Sequence, residues 1–143
     1  MDFYKNDAEV LPVLKRGVLK INADELRALT GVDDVPEAMK MLLKNYSFDY
    51  VAITDGAARA FFADRKNVYV YNVPHIVNVV NPVGSGDTAS AVLLSCLLAD
   101  EAPEKAFAYA IAAASANCLS MKCGEFDCST AEKLFENINI TLY

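Results

Sequence analysis

Apolar residues in this chain gather in short runs, and their spacing alternates between that of strands and that of helices. The run VLKIN, residues 18–22, stays apolar until a polar end, as a buried strand does. ADELRALTG, residues 23–31, has helical character and stops at Gly31, a residue suited to closing a helix. A second helix is predicted over 35–46, with Pro36 in its first turn and Ala38, Met39, Leu42 and Leu43 on one face. YVAIT, residues 50–54, is a β-branched run bounded by Asp55-Gly56 and reads as another strand. ARAFFAD (58–64) and NVYVYNV (67–73) flank the polar pair Arg65-Lys66 and read as a hairpin. IVNVV, residues 76–80, reads as one more extended segment.

Helical patterns fill the remainder, over 87–98, over 103–121 with Pro103 in the first turn, and over 129–138 with Ser129 or Thr130 as the cap. A short helix over 7–16, weakened at Pro12, precedes the first strand. This order predicts an α/β layered domain whose mixed sheet is parallel where helices intervene and antiparallel at the hairpin. No repeat or low-complexity linker divides residues 1–143, so they read as one portion of one domain.

Composition narrows the function classes. With 54% apolar residues, the 143-residue chain can bury a real core. Its most apolar stretches, 88–99 and 106–121, are rich in Ala and Ser and too short or too polar to span a bilayer. Residues 1–20 carry Asp2, Lys5, Asp7, Glu9, Lys15 and Arg16 with no long apolar run, so a cytoplasmic protein without a signal peptide is expected. A net charge of −6 with scattered Lys and Arg argues against nucleic acid as a partner. It is compatible with a nucleotide held by a few oriented donors, and it makes Mg²⁺ an expected companion of phosphate chemistry. Cys118, Cys123 and Cys128 lack the close pairs or histidines of a structural zinc site, since the only histidine is the distant His75, so free thiols are expected.

The chemistry concentrates at NPVGSGDTASA, residues 81–91, where Gly84 and Gly86 lead straight into a helix. The first N–H groups of a helix have no internal acceptor and sit at its positive end, so an anion is well held over Gly84, Ser85 and Gly86. The loop lacks the lysine of a P-loop. It matches G-x-G-x-x-A, yet the second strand and acidic residue that a dinucleotide fold requires do not follow. Asp87 is poorly placed for simple phosphate binding but well placed to take a proton from a hydroxyl attacking a bound phosphoryl group. The competing structural reading is that Asp87 caps the helix and the glycines only turn the chain.

NPVGSGD followed by a helix of small residues resembles the signature of the phosphofructokinase-B/ribokinase family, and its Asn-Pro-Val lead-in most resembles the 1-phosphofructokinase and tagatose-6-phosphate kinase branch. The resemblance implies an incomplete ribokinase-like layered fold, a mostly parallel mixed sheet flanked by helices, of which only the carboxyl-terminal portion is present. It implies an anion hole at Gly84, Ser85 and Gly86, with Asp87 as catalytic base. LKINADEL (19–26) resembles the family's K-x-N-x-x-E segment, making Asn22 and Glu25 candidates for ordering ATP phosphates and Mg²⁺, with Glu25 reaching the metal through water. The same spacing is that of a capping box. ITDGAARA (53–60) resembles the nucleotide strand end, with Thr54 and Gly56 matching, Arg59 in place of a second glycine and Asp55 in place of an apolar residue. Helix 103–121 resembles the helix beside the adenine, its Ala113, Ser115 and Ala116 reading as tight packing, and Lys122-Cys123-Gly124 as a loop closing the adenine pocket. Val92 stands where a glycine is common and reads as a packing change.

The implied activity is ATP-dependent phosphoryl transfer to a sugar or sugar phosphate. Nothing in the chain matches the family's sugar-binding portion, so the expectation includes pairing with that missing half or between copies. The alternative is a non-catalytic nucleotide-binding or association module.

Overall fold

The structure, a computed structural model, describes residues 16–143. The helix expected over 7–16 lies outside them apart from its last residue. The described residues divide into two compact units, one reaching to Val70 and taking in Thr141–Tyr143, the other running Tyr71–Ile140.

In the first unit, β1 (Val18–Asn22) and β2 (Tyr50–Asp55) pair in parallel from Val18↔Tyr50 to Asn22↔Thr54. Parallel neighbours require a long crossover. Here it is α1 (Ala23–Thr30) and α2 (Val35–Asn45). Gly31 ends α1 in the left-handed conformation, φ 68°, and returns its N–H to the Arg27 carbonyl at 2.8 Å. Asp34 caps α2, its Oδ1 accepting the Glu37 N–H at 2.8 Å, with Pro36 in the first turn. The predicted apolar face is realised: Met39, Leu42 and Leu43 are buried with Leu26, Phe48, Val51, Ile53 and Phe61.

The antiparallel strand β3 (Arg59–Ala63) follows β2 in the register Val51↔Ala63 to Asp55↔Arg59. Asp64 then turns the chain into β4 (Val68–Asn72), its Oδ1 accepting the N–H groups of Lys66 at 2.6 Å and Asn67 at 2.7 Å. A short β5 (Ile140–Leu142) completes the sheet order β1-β2-β3-β4-β5, and the Tyr143 N–H reaches the Val68 carbonyl at 2.9 Å. Three exposed residues give no periodicity to detect, which is why β5 is absent from the sequence reading.

The second unit corrects four expectations. Residues 76–80 form no strand: Asn78 takes a positive φ of 61°, and the Val80 and Asn81 N–H groups both go to the Cys118 carbonyl, at 2.8 and 3.1 Å. Helix α3 (Ser85–Leu98) starts two residues before the predicted Asp87. Helix α4 (Pro103–Asn117) stops short of 121, its end tightened by Leu119 N–H to Ala116 and Ser120 N–H to Asn117 carbonyls. Helix α5 (Cys128–Phe135) ends before 138 and is capped by Asp127, not by Ser129 or Thr130. The Asp127 carboxylate accepts the Thr130 N–H at 2.7 Å and both hydroxyls, Ser129 at 2.6 Å and Thr130 at 2.8 Å. Those bonds, that of Ser129 foremost, hold its carboxyl below the usual range.

Small side chains let the three helices pack closely. Ala113, Ala116 and Ala131 are buried together against Val92, Tyr109, Phe126 and Leu134, the packing role expected of Val92. Tyr71 is fully buried, with its hydroxyl donating to the Glu104 carbonyl at 3.0 Å and its ring edge-on to Phe107.

Met39 is fully buried in the core of the first unit. Met39→Ala therefore lowers stability by about 2–5 kcal/mol in urea denaturation followed by circular dichroism. A variant as stable as the parent contradicts that packing.

Candidate functional site

The loop into α3 is shaped before any ligand is considered. Asn81 opens it, its Oδ1 accepting the Val83 N–H at 3.0 Å and its Nδ2 donating to the Met121 carbonyl at 3.3 Å. Ser85 N–H closes the turn on the Pro82 carbonyl at 3.3 Å. Gly84 holds φ 84°, left-handed, and is the N-cap, so no side chain caps this helix. A Cβ there would run into Cys123 Sγ and come within 3.0 Å of the Gly124 nitrogen. Conformation and space both demand glycine.

The first helical bond of α3 runs from Thr88 N–H to the Gly84 carbonyl at 2.8 Å. The amides of Gly86 and Asp87 precede it, at the positive end of the helix. Asp87 is exposed in this first turn and is not the cap. Ser85 sits differently: burial pushes the Cys118 thiol up, and a hydrogen bond with the Ser85 side chain opposes that rise.

One residue that sequence reasoning passed over holds this loop. Asn117, the last residue of α4, is fully buried, and its Nδ2 donates to the Val83 carbonyl at 3.1 Å. Its Oδ1 accepts the Gly124 N–H at 2.8 Å and the Thr88 hydroxyl at 3.4 Å. The available signal was an asparagine, a poor helix residue, at the end of an Ala/Ser helix. Gly124, left-handed at φ 74°, and Cys123 are thereby set against Gly84. Lys122 lies outward in an exposed ion pair with Glu125, 3.1 Å.

In the first unit, Asn22 and Thr54 are register partners at the carboxyl ends of the parallel strands, where α/β sheets bind ligands. Asn22 and Glu25 form the capping box that their spacing allowed: Glu25 N–H to Asn22 Oδ1 and Asn22 N–H to Glu25 Oε2, both 2.8 Å. Gly56 makes the following turn at φ 58°. Asp55 and Arg59, two of the departures from the family pattern, face each other across β2–β3 and line a cleft of about 220 Å³ with Arg27, Asp33 and Asp34. The candidates thus fall into two sets: Asn22, Glu25, Thr54 and Gly56 in the first unit, Gly84–Asp87 and Gly124 in the second. The four cysteines are free thiols, and among the described residues no three His, Cys, Asp or Glu side chains converge on a metal position.

Gly84→Ala should cost about 1–3 kcal/mol in urea denaturation, from strain at the left-handed position. It should also speed labelling of the displaced Cys123 thiol. Unchanged stability and labelling contradict the close approach described above.

A family model for pfkB family carbohydrate kinases matches residues 12–130. A tagatose-6-phosphate kinase of Staphylococcus epidermidis is 29% identical over 133 residues, covering 89% of this chain but only 42% of the relative. Among solved structures, phosphofructokinase-2 from Escherichia coli in complex with potassium overlays with a TM-score of 0.77 at 23% identity, covering 88% of this chain and 42% of that one. Ribokinase of Arabidopsis thaliana, complexed with ribose and ATP, gives 0.76 at 21% identity, covering 90% and 43%. These two share the ribokinase-like fold, and the described chain spans less than half of each. The matched span runs across the Gly84–Asp87 loop and the Asn22–Glu25 box alike, and the chain belongs to the pfkB family of carbohydrate kinases.

Proposed function

We propose that this chain supplies the nucleotide-binding and phosphoryl-transfer portion of an ATP-dependent kinase acting on a hydroxyl of a sugar or sugar phosphate. The observation that carries the reading is the exposed Asp87 carboxylate beside an uncapped, glycine-lined helix start. The γ-phosphoryl group of ATP lies over the Gly84, Ser85 and Gly86 backbone, where the helix end offsets its charge. Asp87 accepts the proton of the acceptor hydroxyl as that oxygen bonds to phosphorus and ADP departs. Within the first unit Thr54 and Gly56 are nucleotide-contact candidates at the strand end, and within the second Gly124 is one in the loop packed on Gly84.

Magnesium fits the residues present as a metal carried on the phosphates. Among the described residues there is no cluster of three His, Cys, Asp or Glu to bind it directly, and Glu25 is a half-buried carboxylate whose Oε2 accepts the Asn22 N–H, which leaves Oε1 to hold the metal's water ligands. Bound there, the ion would neutralise phosphate charge. Asn22 orients Glu25 through the capping box.

The name of the Staphylococcus epidermidis relative suggests a phosphorylated ketohexose as acceptor. The site is completed by a partner surface. Helix α3 is apolar with little amphipathic character, as helices covered on two sides are, yet Asp87, Ala91, Leu94 and Leu98 form one exposed stripe at helical spacing. Because the chain spans 42% of that relative's length, the missing portion of the kinase fold is the natural cover, and it brings the acceptor to Asp87. A cytoplasmic location suits this chemistry, and no helix among the described residues is long and apolar enough to cross a membrane.

Phosphorylation of tagatose 6-phosphate or fructose 6-phosphate is measured with the chain complemented by the amino-terminal portion of the relative. Asp87→Asn should lower turnover by about 10²–10⁴-fold while MgATP still binds. MgATP binding without any turnover in the complemented parent would favour the non-catalytic module, and no MgATP binding at all would defeat the reading.

A further inference from the structure

We infer that Asn117 is a positioning residue that grips both ends of the Gly84–Asp87 loop and sets the shape in which it meets phosphate; this rests on the nucleotide reading above. Its Nδ2 holds the carbonyl of Val83, the residue before Gly84. Its Oδ1 holds the hydroxyl of Thr88, the residue after Asp87. All four residues assigned to the anion hole and the base lie between these two grips. The third bond, to Gly124 N–H at 2.8 Å, anchors the segment that packs on Gly84 from the other side.

The chemistry of the three partners selects an amide. A backbone carbonyl only accepts and a backbone N–H only donates, so the Val83 and Gly124 bonds fix which end of the side chain is oxygen and which is nitrogen. Aspartate would keep the two accepted bonds and set a carboxylate oxygen against the Val83 carbonyl. Leucine, of similar shape, would leave all three groups without a partner in a buried place. Glutamine is one methylene too long for a fully buried site. Asn117 touches no reacting atom on this account; it acts through the backbone that does.

Two variants test the inference, Asn117→Asp and the gentler Thr88→Val, which removes only the 3.4 Å bond. Affinities for MgATP and for adenosine are measured by calorimetry, and amide exchange over residues 85–88 by mass spectrometry. Asn117→Asp should weaken MgATP about tenfold and hasten exchange of those amides by a similar factor. Adenosine affinity should stay within about twofold, because both variants keep the bond from Gly124 N–H to the residue 117 side-chain oxygen, the grip on the segment assigned to the adenine. Thr88→Val should show the same split in smaller measure. A loss shared equally by MgATP and adenosine, or unchanged exchange in both folded variants, would overturn the positioning role. Should the parent bind no MgATP, the kinase reading falls while the exchange result still decides what Asn117 does. If Asn117→Asp does not fold, Thr88→Val carries the decision alone.

Discussion

A helix start that binds anions must keep its amides uncovered, and this conflicts with the ordinary need to satisfy every backbone donor locally. The fold resolves the conflict by moving the restraint away from the amides. Gly84 replaces a capping side chain, and the loop is held from behind by Asn81, by the Pro82 turn and by the buried amide of Asn117. These bonds engage Val83, Ser85 and Thr88, and no side-chain oxygen caps the helix. The contrast with α1, α2 and α5 is instructive, because Asn22, Asp34 and Asp127 each place a side-chain oxygen on a first-turn amide. Helices α3 and α4 both lack a side-chain cap bond, but α4 opens on Pro103, whereas α3 opens on a left-handed glycine.

Glycine at 84 is required by that arrangement in two ways. Its left-handed φ starts the helix abruptly, and its missing side chain admits Cys123 and Gly124. The loop and the segment 122–124 therefore form one piece, although Lys122 lies 38 positions beyond Gly84 in sequence. Of the family positions that depart from pattern, Val92 is absorbed as packing, whereas Asp55 and Arg59 put opposite charges at a cleft beside Gly56. That substitution changes the electrostatics near the strand end while leaving the turn intact.

Elements whose signals are local were legible in the sequence. The strand at 18–22, the Gly31 stop, Pro36 in a first turn and the Asp64–Asn67 reversal all depend on neighbours a few residues away. The failures involve distance. Residues 76–80 have strand composition, but strand propensity acts only where a partner strand exists, and here two consecutive N–H groups share the Cys118 carbonyl. The sequence reading put the cap at Ser129 or Thr130, but Asp127 takes it because one of its carboxylate oxygens accepts from the Thr130 amide and from both hydroxyls. The Gly84–Asp87 motif was visible as a pattern, but its buried support was not. Asn117 reaches residues 34, 29 and 7 positions away, contacts that no local pattern encodes.

The account rests on the start of α3 being a place where phosphate meets the backbone. Titration of ¹⁵N-labelled protein with MgATP reads this directly, amide by amide. Saturable shifts that are largest at Gly84, Ser85, Gly86 and Asp87 are the predicted result. Saturable shifts confined to other segments, with these four amides unmoved, would contradict it.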